Sequence, residues 1–383
     1  MKTFASFFLA ASLTFTPILF HQDAKQDPEN PSKSFLVKKG GMLEVNVDPG
    51  NVRIEPWSKE EVFIQAENID DRYPDRLKMT QSGTTVRVEY RDRRRNVRDL
   101  RFVINVPVEF NVKIETSGGN VEQEELLKGS FNVETKGGNI TMTDITGQVD
   151  IHSGGGNIRG ETIDGNMNIK TGGGNVTVKS AKGETEVESG GGNLKLVKVG
   201  KGLKLDTGGG NVNVGDVGGE ATIKTGGGNL KLGRIAQKLV LTTGGGNVEV
   251  LGASGVNTVK TGGGNVDMEG ISGSIGLKTG GGNVKVELTP TGEGPSTIYS
   301  GGGDIQFLIP ENAKVTIEAT LKIKYGWGGR SKKYKVDSDF KADKFERDSD
   351  DGSTFAVYNL NGGGEKIELE TTNGDITIRK LKK

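Results

Sequence analysis

The sequence predicts an all-β fold: a single-stranded β-solenoid, or parallel β-helix, with 18-residue coils capped at both ends by β-rich segments. Three observations predict it. A glycine-asparagine motif recurs at a strict period, apolar residues alternate with period 2 inside each repeat, and composition changes sharply on either side of the repeated region. Gly-Gly-Gly-Asn occurs eight times, ending at Asn157, Asn175, Asn193, Asn211, Asn229, Asn247, Asn265 and Asn283, with every spacing 18 residues. Looser copies end at Asn120 and Asn139, and a last one ends at Asp304 after a 21-residue interval.

The strands follow from the coil when Asn is counted as position 1. Position 2 is Val, Leu or Ile in every copy, as in Val176, Leu194 and Val212. Position 4 is usually apolar (Val178, Leu196, Val214), position 7 is apolar (Ile163, Ala181, Val199, Val217), and position 13 is apolar throughout (Ile169, Val187, Leu205, Ile223, Leu241). Apolar residues at 2 and 4, and again at 11 and 13, make two short strands per coil, with room for a third near position 7. Strands this short bury no face alone. Stacked on copies of themselves at about 4.8 Å per step, they build continuous internal columns, and roughly ten coils give a rod about 50 Å long.

The glycines at positions 16 to 18 read as a tight corner that needs positive φ or close backbone approach. The structural Asn column (Asn157 through Asn283) and the Thr column (Thr171, Thr207, Thr225, Thr243, Thr261, Thr279) are expected to form hydrogen-bonded ladders along that corner. Gly173→Val is expected to strain the corner and destabilise the rod. Asn at position 1, where a hexapeptide helix wants an aliphatic residue, favours a right-handed solenoid.

The ends differ. Between Asn139 and Asn283 there is no Phe, Tyr, Trp or Pro, whereas Phe35, Trp57, Tyr90 and Phe102 precede that region and Phe307, Tyr325, Trp327 and Tyr358 follow it. Alternating strands are predicted at 42–47, 51–55, 61–66, 85–90 and 100–106. Met1-Lys2, the apolar stretch Phe4 to Phe20 and an abrupt return to polarity predict a secretory signal peptide, cleaved between Phe20 and Ala24. The expected organisation is therefore a signal peptide over 1–24, a flexible leader over 25–34 and an N-terminal β-rich cap over 35–116. The solenoid spans 117–303 and a C-terminal β-rich cap 304–383.

Composition limits the chemistry. Lys+Arg and Asp+Glu both number 50, so the net charge is zero and nothing points to nucleic acid as a partner. With no cysteine there is no disulfide framework or thiolate metal site. No segment after the signal region is apolar enough to span a membrane.

The opening GNVRIEPWSKEEVFIQAE, the segment RNVRDLRFVINVPVEFNVKIETSGGNV, the serial TGGGNV coils and the closing LNGGGEKIELETTNGDITIRK resemble a bacterial family of exported β-strand-repeat proteins that carry the label "putative adhesin". The resemblance covers nearly everything after residue 34. It implies an exported β-solenoid and supplies no catalytic residues to carry over.

Several candidate sites have plainer readings. Calcium β-rolls need Asp after a Gly pair in each half-coil; here one half is Gly-rich and its polar residue is Asn. Asp348 to Gly352 echoes a calcium loop, but Gly352 stands where an acidic ligand belongs. Enzymatic readings lack a cluster: Glu188 and Asp206 share a column with Lys170 and Lys224, and the chain has two histidines, His21 and His152. No catalytic residue, metal site or cofactor is expected. The best ligand-binding candidates are the Tyr325-Gly-Trp327 segment, whose rings suit a saccharide face, and Arg93, Arg94 and Arg95, which suit an acidic polymer. The expected function is a non-enzymatic exported rod, an adhesin or envelope interaction scaffold, located in the periplasm, at the cell surface or outside the cell. Its partner would be an envelope or cell-surface polymer or protein. The alternatives are a periplasmic envelope scaffold or stress-associated protein, and a polysaccharide-active enzyme on a β-helix.

Overall fold

The computed structural model describes residues 30–69, 74–91, 100–324, 334–350 and 352–382. Each regular coil contributes two strands that pair in parallel with the same positions one coil away. In one such coil they are Val176–Ala181 and Thr185–Ser189. Val176 pairs with Leu194, Val178 with Leu196 and Ala181 with Val199, while Val187 pairs with Leu205. The 18-residue period of the sequence is thus the register of the ladder. The first strand (positions 2 to 7) forms face A of the rod and the second (positions 11 to 15) forms face B.

Period-2 alternation explains both faces, and its one interruption explains the shape. On face B, positions 11, 13 and 15 point inward and 12 and 14 outward. On face A, positions 2, 4 and 7 are buried, but positions 5 and 6 both stay outside. Two consecutive outward residues bend the strand, so each coil turns in three places and the apolar columns meet in one core running the length of the rod. Val176, Val187 and Ile223 are fully buried there.

The GGG corner sits between face B and the next face A. Gly174 has φ +85°, and a Cβ there would lie 2.1 Å from the carbonyl oxygen of Gly156. A Cβ at Gly172 would lie 2.5 Å from that of Gly154. The middle residue is different. Gly173 has no atom within 4 Å of a built Cβ and lies outside the left-handed region. The strain expected of Gly173→Val therefore belongs to Gly172 and Gly174, because only they press on the coil below or need positive φ.

Irregular spacings have local causes. The 19-residue interval from Asn120 to Asn139 absorbs its extra residue in a β-bulge, where Glu124 and Glu125 stand opposite a single residue and Glu125 takes φ +63°. The buried Gln123 side chain holds the bulge. It donates to the carbonyls of Glu124 and Glu125 and accepts from the Thr143 N–H at 3.0 Å. The 21-residue interval enlarges the second corner, where the Glu365 carboxylate accepts from the N–H groups of Gly292 and Gly294.

At the ends the chain is threaded out of order. Strands Met42–Asp48 and Asn51–Trp57 form a coil that lies between the coil of Thr85–Arg91 and Arg101–Pro107 and the coil of Asn111–Thr116 and Val121–Lys128. At the other end, Glu365–Thr372 and Ile376–Lys380 insert between the coil of Ser296–Ser300 and Ile305–Ile309 and the strands Val315–Lys322 and Val336–Ser338. Antiparallel strands then close the stack. Glu61–Glu67 and Ser32–Leu36 cover face A, and Leu77–Ser82 covers face B. At the far end Thr354–Leu360 and Lys344–Arg347 cover face B. The leader expected to stay flexible to residue 34 enters the fold as a strand at Ser32. Among the described residues the one helix is a 3-10 turn, Pro74–Arg76, and no helix is long and apolar enough to cross a membrane.

Candidate functional site

The corner column is built from backbone and asparagine together. The Asn157 side-chain oxygen accepts from the backbone N–H of Asn175 at 3.0 Å, and the same bond repeats at each coil up to Asp304, which donates its N–H to the Asn283 oxygen at 2.9 Å. The tight corner takes the position-1 N–H out of the strand ladder, and the side chain of the coil below satisfies it. The series starts earlier and ends later than the repeat motif. The Asn51 oxygen accepts from Asn120 at 2.9 Å, Asp304 accepts from Asp375 at 2.8 Å, and Asp375 accepts from Lys335 at 2.8 Å. A carboxylate oxygen replaces the amide oxygen because the task is only to accept. Asn51 and Asp375 were hidden from sequence reasoning by their distance from the repeats. The signal was present in GNV and NGDI, which keep the Gly-Asn/Asp-aliphatic step.

The hydroxyl column works inside each coil, not along the rod. The Thr207 hydroxyl donates to the carbonyl of Gly209 at 2.8 Å and accepts from its N–H at 3.3 Å. Thr225, Thr243, Thr261 and Thr279 repeat the pattern. The ladder expected of the Thr column is replaced by a brace across each turn, because the hydroxyl reaches the middle glycine before it reaches the next coil. Cross-coil bonds from this column occur near the ends, from Thr116 to Gly50, Ser300 to Gly282 and Thr371 to Gly303.

The outward positions carry the charges. Lys182 pairs with Asp164 at 2.6 Å, Lys204 with Glu186 at 2.6 Å, Lys231 with Glu249 at 2.7 Å and Lys170 with Glu188 at 3.3 Å, each across one coil. The hydrogen bond from Lys204 holds the Glu186 carboxyl below the ordinary carboxylate range, and Glu186 raises the Lys204 ammonium in turn. Lys285 is raised by its hydrogen bond to Glu269, and Arg53 near the first coil by its bond to Glu124 at 2.6 Å. Burial pushes the Tyr358 phenol up. Apart from Tyr358, these shifts come from surface ion pairs.

Face B is flanked by two open grooves. Beside the glycine corner a groove of about 730 Å³ runs past Glu134, His152, Lys170, Glu188 and Asp206. On the other side one of about 490 Å³ runs past Asp150, Glu186 and Lys204. Neither gathers acids into one centre: among the described residues no group of His, Asp or Glu is arranged to hold a metal ion. Tyr325 and Trp327 lie outside the described residues, as do Arg93, Arg94 and Arg95. Sequence reasoning also missed a buried polar residue, Asn257 at position 11. It accepts from the Leu239 N–H at 3.0 Å and donates to the carbonyls of Gly255 at 2.9 Å and Ser274 at 3.3 Å. These bonds sit where two coils lose their second corner and run as single strands, Val248–Thr261 and Val266–Thr279.

This geometry defines a repeat protein of parallel stacked coils with threaded ends. Residues 42–217 and 186–379 match the profile of the Toastrack DUF4097 family, and the chain belongs to that family. No protein with a curated description matches it. Among solved structures it is similar to a putative adhesin from Bacteroides fragilis, with 12% identity over 93% of this chain and 98% of the other, at a TM-score of 0.27. A putative lipid binding protein from Parabacteroides distasonis matches with 10% identity over 93% and 98%, at 0.25. A putative adhesin from Parabacteroides merdae matches with 11% identity over the same shares, at 0.23. Scores at that level transfer no site residue to this chain.

Proposed function

We propose that this protein is a non-enzymatic exported rod that acts in adhesion or in an envelope-associated interaction. The observation that carries the reading is the use made of its ionisable groups. Many acids and bases of the outer columns pair across one coil, as in Lys182 with Asp164 and Lys204 with Glu186, and the others are strung out along the stack instead of being gathered at one point. Such a surface offers extended, repeating contact, which suits binding to a polymer or another protein. The apolar opening stretch from Phe4 to Phe20 supports export. Protease treatment of intact cells, followed by a blot for the protein, tests display. Loss of the rod from intact cells is the expected result; digestion only after the envelope is opened would assign it to the periplasm. Cleavage of any member of a polysaccharide panel by the pure protein would sink the non-enzymatic reading.

A further inference from the structure

Ten consecutive strands of face B are electrically divided, up to the strand Glu365–Thr372, which turns Glu368 and Glu370 outward. Over the five strands from Phe131–Thr135 to Leu203–Thr207, the outward positions 12 and 14 carry Glu134, Asp150, Glu186, Glu188 and Asp206 against Lys170 and Lys204, five acids and two bases, a net of −3. The next five strands, from Ala221–Thr225 to Ser296–Ser300, carry Lys224, Lys260 and Lys278 and no acid at those positions, a net of +3. Adding the flanking positions 10 and 16 changes neither total: Lys136 cancels Glu184 in the first section, and Lys238 cancels Glu220 in the second. The two bases of the acidic section are already engaged, Lys170 with Glu188 and Lys204 with Glu186. Glu134, Asp206, Lys224, Lys260 and Lys278 have no ion pair among the described residues.

We propose that face B docks on face B of a second copy of this chain, in an antiparallel dimer. A two-fold axis parallel to the strands, at the level between Leu203–Thr207 and Ala221–Thr225, lays each acidic section over the partner's basic section: Asp206 comes opposite the partner's Lys224, Lys260 opposite Lys170 with its ion-paired Glu188 one strand away, and Lys278 opposite His152 between the strands of Glu134 and Lys170. The interface is isologous, so each contact occurs twice, and the attraction is that of a net −3 section over a net +3 section, not of matched pairs throughout. The surface is suited to close approach. Opposite the acids, position 12 of the basic section carries only Thr222, Val240, Thr258, Gly276 and Thr297, and the grooves beside the acidic section leave room for incoming lysines. Ten strands at about 4.8 Å by seven residues at about 3.3 Å give about 1,000 Å² per copy, the scale of a standard specific interface.

Light-scattering mass of the purified protein tests this. At about 50 mM salt the mass is expected to be that of two chains, falling twofold to one chain at about 500 mM, where exposed charges are screened. Lys224→Glu/Lys260→Glu/Lys278→Glu should leave one chain at low salt, and so should Glu134→Lys/Glu188→Lys/Asp206→Lys. Mixing the two variants should restore the two-chain mass, a rescue that misfolded protein could not give. A single-chain mass for the unaltered protein at low salt would overturn the proposal. So would a dimer that survives the lysine substitutions. Retention of single chains on heparin through these lysines would also overturn it, assigning the basic section to a polyanion.

Discussion

At the residue scale, the three glycines of a corner differ in what they do. Gly172 and Gly174 let one coil rest on the carbonyls of the one below, and Gly174 also needs positive φ; Gly173 needs neither. Gly174→Ala is expected to cost on the order of 3 kcal/mol and Gly173→Ala less than about 1 kcal/mol, read by denaturant unfolding. The asparagine above them supplies one acceptor. Asn211→Ala should cost about 1 kcal/mol through an unsatisfied Asn229 N–H, and Asn211→Asp less, because Asp304 and Asp375 already do the same task. For the charges, Glu186 has a folded pKa below its unfolded value. Its contribution is therefore complete above the unfolded value and lost as pH falls through the folded one. In Lys204→Met its carboxyl titration, followed by NMR, should move up toward the ordinary range; an unmoved titration would remove Lys204 as the cause.

At the element scale, the coil is the unit of stability. Deleting residues 211–228, one full period, should leave the register intact and the protein folded by circular dichroism. Deleting nine residues should not, because it sets face-A strands on face-B strands and the three-glycine corner against the second corner of the neighbouring coil. The regular coils were legible in the sequence because every one of them repeats the same columns at the same spacing. The bulge at Glu124–Glu125 and the plug at Asn257 were not, because each depends on side-chain bonds to a neighbouring coil. The threaded ends were hidden for another reason. The motif around Asp375 is 71 residues from its neighbour Asp304, and no local pattern reports so long a return. The chain has no cysteine, so Gln306→Cys/Thr377→Cys gives a clean check. These residues are direct parallel partners, and adjacent strand spacing suits a disulfide. Ready oxidation to an intramolecular bond is expected; failure to close would contradict the threading.

At the scale of the whole molecule, one core runs from the antiparallel strands at one end to those at the other, and face B orders its strands in a single continuous series. Parallel stacking makes length cheap in sequence terms, since each 18-residue coil adds one step and two more strips of outer surface. The end strands stop further addition, as Lys344–Arg347 does with three charged residues on an edge. The candidate rings and arginines lie outside the described residues, so the legible part of the surface is the charge pattern of the coils. The most direct test of the account is small-angle X-ray scattering on residues 30–383 at high salt. Eighteen strands stacked at about 4.8 Å predict a maximum dimension of about 85 Å and a rod-like distance distribution. A compact particle with a radius of gyration near about 21 Å, as expected for a globular chain of this length, would contradict the stacked-coil rod.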